Sequence, residues 1–146
     1  MITKINVLED DLNRLLDVWE QSVKATHTTI NESMIESMRP TILTGLASMD
    51  AVYVFESNRF MQGFIGVLNG VIEMLYVSPE FRNKDIAGSL VRKVLQLNQT
   101  ITVDIPETNL HEKLFYQNLG FKLDRVNPID QAGNRNPMLH MKYQSQ

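Results

Sequence analysis

The spacing of apolar side chains changes period several times along the chain, and each change marks an element. From Asp11 onward Leu12, Leu15, Leu16, Trp19 and Val23 recur every three or four positions, the interval that lines one face of an α-helix. Glu9, Asp10 and Asp11 lead into this stripe, where a helix N-terminus favours negative charge. The polar and β-branched "THTTIN" interrupts it. A second stripe follows at Met34, Ile35, Met38, Ile42, Leu43 and Leu46; Pro40 inside it predicts a kink or a split, and Gly45 weakens its end. Ile86, Ala87, Leu90, Val91, Val94, Leu95 and Leu97 form a third, and "NLHEKLFYQNLG" carries a fourth that closes at Gly120.

Elsewhere the pattern shortens to strand-like runs. These are "TKINV" at residues 3–7, "AVYVFE", "FMQGFIGVL", "VIEMLYV", "TITVDI", "FKLDRV" and "PMLHMKY". "SNR" joins the second and third runs, and Asn69-Gly70, a strong hairpin signal, joins the third and fourth. The middle of the chain therefore reads as an antiparallel meander. "NPIDQAGNRNP" is a turn-rich loop between the last two strands. The order β-α-α-β-β-β-α-β-α-β-β predicts an α/β fold with a mixed sheet, one domain over residues 1–146, without repeats or a linker.

Composition narrows the classes. At 43% hydrophobic the chain has the apolar content of a cored domain, and no window reaches the roughly 18 uninterrupted apolar residues of a membrane span. "MITKINVLEDDL" lacks a secretory layout, so a cytoplasmic location is expected. With no cysteine there are no disulfides, thiolate metal sites or cysteine nucleophile. His111 and His140 show no metal spacing with any carboxylate, and no metal is expected. A net charge of −3 argues against a broad nucleic-acid surface.

The chemistry concentrates in "YVSPEFRNKDIAGSLVRKVL". A strand passes through Pro79 and the cations Arg82 and Lys84 into the helix that opens at Ile86. Unsatisfied N–H groups and the positive end of the helix dipole make such a junction an anion site, suited to a phosphate or pyrophosphate. A solvated loop with ordinary surface charge reads the same residues equally well.

Two segments bear on that choice. "VIEMLYVSPEFRNKDIAGSL" resembles the signature of the GCN5-related N-acetyltransferase (GNAT) family, a strand ending V-x-P-x-x-R before a Q/R-x-x-G-x-G/A loop. "NLHEKLFYQNLGF" resembles the same family's second signature, an Asn before a helix ending F-Y-x-x-x-G-F. The order of elements over nearly the whole chain is similar too, and "SVKATHTTI" and "DQAGNRNPMLHM" resemble a small bacterial branch. The resemblance implies a single-domain, mostly antiparallel sheet flanked by helices, with splayed fourth and fifth strands. It also implies acetyl transfer from acetyl-CoA to the amine of a small molecule or peptide. By position, Arg82, Asn83, Lys84, Asp85, Ile86 and Ala87 would wrap the pyrophosphate. Main-chain groups of Leu75 and Val77 would pair with the pantetheine arm, and Asn109 would touch it. Asp85 stands where the family has its first loop glycine and Ala87 where it has the second. Asp tolerates left-handed backbone, but its carboxylate has the wrong sign beside phosphate, so weakened cofactor binding is expected.

Acyl transfer from a thioester needs a deprotonated amine and a protonated leaving thiolate. Without cysteine, direct attack in a ternary complex is the simpler route. Tyr116 matches the family's acid, and a phenol stays protonated at neutral pH; packing beside Phe115 is the alternative. Glu73, charged between Ile72 and Met74, either faces solvent or takes the amine proton, often through water. His27 either contacts the acceptor or hydrogen-bonds its loop. A strand edge or the methionine-rich helices offer routes to a homodimer. A non-catalytic CoA-binding sensor or protein-interaction module on the same fold is the alternative function.

Overall fold

The computed structural model describes residues 1–7, 9–27, 29–82 and 84–145. The elements run β1 (Ile2–Ile5), α1 (Glu9–Thr26), α2 (Glu32–Ser48), β2 (Ala51–Ser57), β3 (Phe60–Leu68), β4 (Val71–Val77), a 3₁₀ turn (Pro79–Phe81), α3 (Ile86–Leu97), β5 (Thr100–Pro106), α4 (Leu110–Asn118), β6 (Lys122–Asn127) and β7 (Met138–Gln144). The expected order of elements is therefore met. Hydrogen bonding orders the strands β1-β2-β3-β4-β5-β7-β6 in one seven-stranded sheet. The β1/β2, β2/β3, β5/β7 and β6/β7 ladders are antiparallel. The β4/β5 ladder is parallel and registers only Val71 with Thr102 among the described residues. Among those residues no helix is long and apolar enough to cross a membrane.

The chain divides into two compact units. The first comprises residues 1–69 and 73–91, the second residues 70–72 and 92–146. In the first, α1 and α2 bury Leu15, Val18, Trp19, Val23, Ile35 and Leu46 with Val52, Val54, Phe64 and Met74 of the strands. Two hairpin turns of the chain use left-handed backbone in pairs, Asn58 and Arg59 (φ 54° and 68°) and Asn69 and Gly70 (φ 52° and 76°). Two successive residues of that kind match the right-handed twist of the flanking strands. In the second unit, Ile101, Val103 and Ile105 of β5 alternate with Thr102 and Asp104, so one face is buried and the other half-open.

Two details differ from expectation. The first strand covers Ile2–Ile5 rather than residues 3–7, because its ladder sets Ile2 opposite Phe55 and Ile5 opposite Val52. Helix α2 runs through Pro40 without a split. Ile35 and Leu46, buried on either side of the proline, anchor both halves, and that burial outweighs the one backbone hydrogen bond a proline removes. Asn31 starts the helix, its Oδ1 accepting the Met34 N–H at 2.9 Å.

Candidate active site

Strand β4 hands over to α3 through the 3₁₀ turn and a basic loop. Asp85 takes a φ of 53°, the left-handed region that the family glycine would enter freely. Its carbonyl accepts the Ser89 N–H at 3.0 Å and the Ser89 hydroxyl at 2.8 Å, which places Asp85 at the helix cap. The amides of Ile86, Ala87 and Gly88 are then the first-turn donors that no intrahelical carbonyl can reach. The loop's cations sit beside them in sequence and are exposed. Lys84 Nζ lies 5.7 Å from the Phe81 ring centroid. Arg82 Nη2 donates to Thr26 Oγ1 at 2.9 Å and to the Ser22 carbonyl at 3.3 Å. The structure thus brings Arg82 to the last turn of α1, next to His27, whose N–H donates to the Val23 carbonyl at 2.8 Å. Asn83 lies outside the described residues.

Beneath this junction lies Gly63 of β3. A Cβ on it would meet Tyr76 O at 3.0 Å, Val77 Cγ2 at 3.1 Å and Ile86 Cγ2 at 3.2 Å. The strand end and the helix start therefore pack so closely on this position that any side chain would press them outward. On β4 itself Ile72 and Met74 are buried, while Glu73 is exposed on the face it shares with half-buried Leu75 and Val77.

In the second unit, Asn109 caps α4, its Oδ1 accepting the Glu112 N–H at 3.1 Å. Tyr116 is 4% exposed, its ring edge-on to Phe115 at 4.9 Å and to Phe121 at 5.1 Å between centroids. Burial pushes its phenol above the usual range, and the Glu112 carboxylate adds to the shift. Tyr116 is thus a core tyrosine whose hydroxyl remains a proton donor throughout the neutral range. Burial also raises the Glu112 carboxyl, against the opposing charge of His111.

Two features of this unit are absent from the sequence reading. Asp130 organises the 128–137 loop: its carboxylate accepts the N–H groups of Ala132 and Asn134 at 3.0 and 2.9 Å and Asn136 Nδ2 at 2.8 Å. The Asn136 contact and the backbone donors hold its carboxyl below the usual range. Second, Asp104 on β5 faces His140 on β7, with Oδ1 2.6 Å from Nδ1. They lie 36 positions apart, so only the strand register could have revealed them.

Comparison with known proteins gives the family. A family profile described as an acetyltransferase (GNAT) domain matches residues 48–123, just over half the chain. The chain is a GNAT acetyltransferase. Among curated relatives of this GNAT chain, the peptidyl-lysine N-acetyltransferase YjaB of Salmonella typhimurium is 24% identical over 130 residues, covering 89% of this chain and 90% of that protein. The solution structure of apo YjaB from Escherichia coli superposes with a TM-score of 0.75 at 21% identity, covering 98% of this chain and 97% of that one. A PaiA N-acetyltransferase from Thermoplasma acidophilum, solved with coenzyme A, gives a TM-score of 0.71 at 18% identity, covering 99% of each. The fold of the GNAT chain is common to these proteins, and the matched segment contains β4, the basic loop, α3, β5 and α4.

Proposed function

We propose that this acetyltransferase moves the acetyl group of acetyl-CoA to the amine of a small molecule or peptide, with a lysine side chain as the acceptor to which the names of its relatives point. The observation that carries the reading is the left-handed Asp85 at the mouth of α3, inside the family-matched segment. Backbone turned this way directs the first-turn amides toward an anion, and Arg82 and Lys84 supply the charge.

On the first unit the residues fit a diphosphate. Arg82, Lys84 and the amides of Asp85, Ile86 and Ala87 would hold it, with Asn83 in the same loop, while the Leu75 and Val77 main chain would pair with the pantetheine arm. On the second unit Asn109, with its Oδ1 committed to the α4 cap, would donate to that arm through Nδ2. Bound acetyl-CoA supplies the activated acetyl thioester. Glu73, exposed on β4, would take the amine proton through water. The freed amine would attack the thioester carbon, forming the N–C bond as the C–S bond breaks; the Tyr116 phenol would protonate the departing thiolate, and the proton shed by the new amide nitrogen would restore the phenol through solvent. His27, exposed at the end of α1, would border the acceptor.

Calorimetry with acetyl-CoA, followed by thiol release across an amine panel, tests the reading. Saturable binding with turnover is expected. Binding without turnover on any amine would favour a sensor, and absence of binding an interaction module. The sign of the Asp85 carboxylate gives a second test: Asp85→Gly is expected to tighten acetyl-CoA several-fold, since it removes a like charge and a left-handed Asp at little cost to the cap. Unchanged affinity would mean the carboxylate does not sense the phosphates.

A further inference from the structure

Glu112 carries a half-buried carboxylate to which no step above gives a role. Counted from Asn109, the N-cap of α4, it stands at the third helical position. A glutamate there ordinarily reaches back to the N–H of the cap residue and closes a capping box. That N–H is already taken, because Asn109 donates it to the Pro106 carbonyl at 2.9 Å. Among the described residues nothing donates a hydrogen bond to the Glu112 carboxylate, and no cation pairs with it. His111 beside it is the one opposing charge, no charged group of a neighbouring strand adds to it, and burial outweighs it.

Tyr116 lies four positions further on, along the same face of the helix. Helical side chains lean toward the N-terminus, so the Tyr116 ring lies back over the turn that carries Glu112. The Glu112 charge acts on the phenol in consequence. The two groups differ in their access to water. Tyr116 is 4% exposed and walled by Phe115 and Phe121, whereas Glu112 reaches the surface. A phenol so enclosed can give up one proton, but it must be reloaded before it can give a second.

We propose that Glu112 is the positioning residue through which Tyr116 regains its proton in each turnover: its carboxyl takes a proton from solvent and hands it to the phenolate. The inference rests on the acid role given to Tyr116 in the acyl-transfer reading. One proton leaves and one enters. The phenol O–H bond breaks as the S–H bond of the departing thiol forms, and the new amide nitrogen sheds its proton to solvent. A solvent proton then bonds to a Glu112 oxygen and passes to the Tyr116 oxygen, which restores both groups. The last transfer runs toward the stronger base, since a phenolate holds a proton far more tightly than a carboxylate. Burial lifts both groups and keeps that order.

One arm of the test needs neither donor nor amine. In protein isotopically labelled at tyrosine Cζ, the resonance that Tyr116→Phe removes should move as pH rises through the Glu112 titration. Its inflection should fall above the roughly 4.3 of a free glutamate, and Glu112→Gln should abolish it. In the kinetic arm acetyl-CoA is the donor and capped lysine the amine. Glu112→Gln and Glu112→Ala should each lower kcat about tenfold, with KM and acetyl-CoA affinity within about twofold. The loss is smaller than for removing the phenol, because water still reloads it slowly. Millimolar formate should restore most of the kcat of Glu112→Ala, whose vacated space admits it, and none of that of Glu112→Gln. A purely structural glutamate would give no formate response. A Tyr116 resonance without that inflection overturns the inference, and so does a Glu112→Gln enzyme with wild-type kcat beside a slow Tyr116→Phe. Both results spare the acyl-transfer reading. Tyr116→Phe at wild-type kcat removes the acid itself, and the relay with it.

Discussion

Replacing Tyr116 by phenylalanine is expected to lower turnover about a hundredfold, the lower range for losing a positioned proton donor, while acetyl-CoA affinity stays within about twofold. The ring is held between Phe115 and Phe121, so phenylalanine fills the same space and only the hydroxyl is lost. Melting temperature should therefore change little. The raised phenol fixes the sign of the pH dependence. Because burial disfavours the phenolate, wild-type activity should show no loss attributable to Tyr116 deprotonation up to pH about 10, where a free tyrosine is already half ionised. Separate measurement of kcat and of acetyl-CoA dissociation decides the matter: an unchanged kcat removes Tyr116 from the acid role.

The second large effect is expected at Gly63. Valine there would drive methyl groups against the Tyr76 carbonyl, Val77 and the first residue of α3, all within 3.2 Å of the added Cβ. Overpacking of this kind costs about 1–3 kcal/mol, which in a domain of this size lowers the melting temperature by several degrees. The same displacement moves the Ile86 turn, so acetyl-CoA affinity should fall together with stability. A variant with the wild-type melting temperature would show that the junction yields without cost.

Local signals read well from sequence alone. Every helix and strand is present in the expected order, and both hairpin turns fall where Asn58 and Asn69-Gly70 predict them. The Asp85 departure was legible too, since Asp is among the few residues that accept the backbone its position requires. Pro40 left a kink or a split open because propensity is a local quantity; the split is absent, and the burial of Ile35 and Leu46 that holds the helix in one piece is not local. What stayed hidden depends on register. Nothing near Asp104 points to His140, and nothing near Gly63 points to Ile86, until the strands are paired and α3 is laid down. Tyr116 shows the same limit from the other side: the packing that makes it a core residue also keeps its proton in place, so burial does not choose between the two readings of the sequence.

Arg82 is already engaged within the protein, and that couples it to any anion it would bind. Its guanidinium fastens the final coil of α1 through Ser22 and Thr26. Any anion recruiting the same side chain competes with, or cooperates with, that fastening. By reciprocity, if such an anion changes the ordering equilibrium of the segment beside His27 by some factor, ordering that segment changes anion affinity by the same factor.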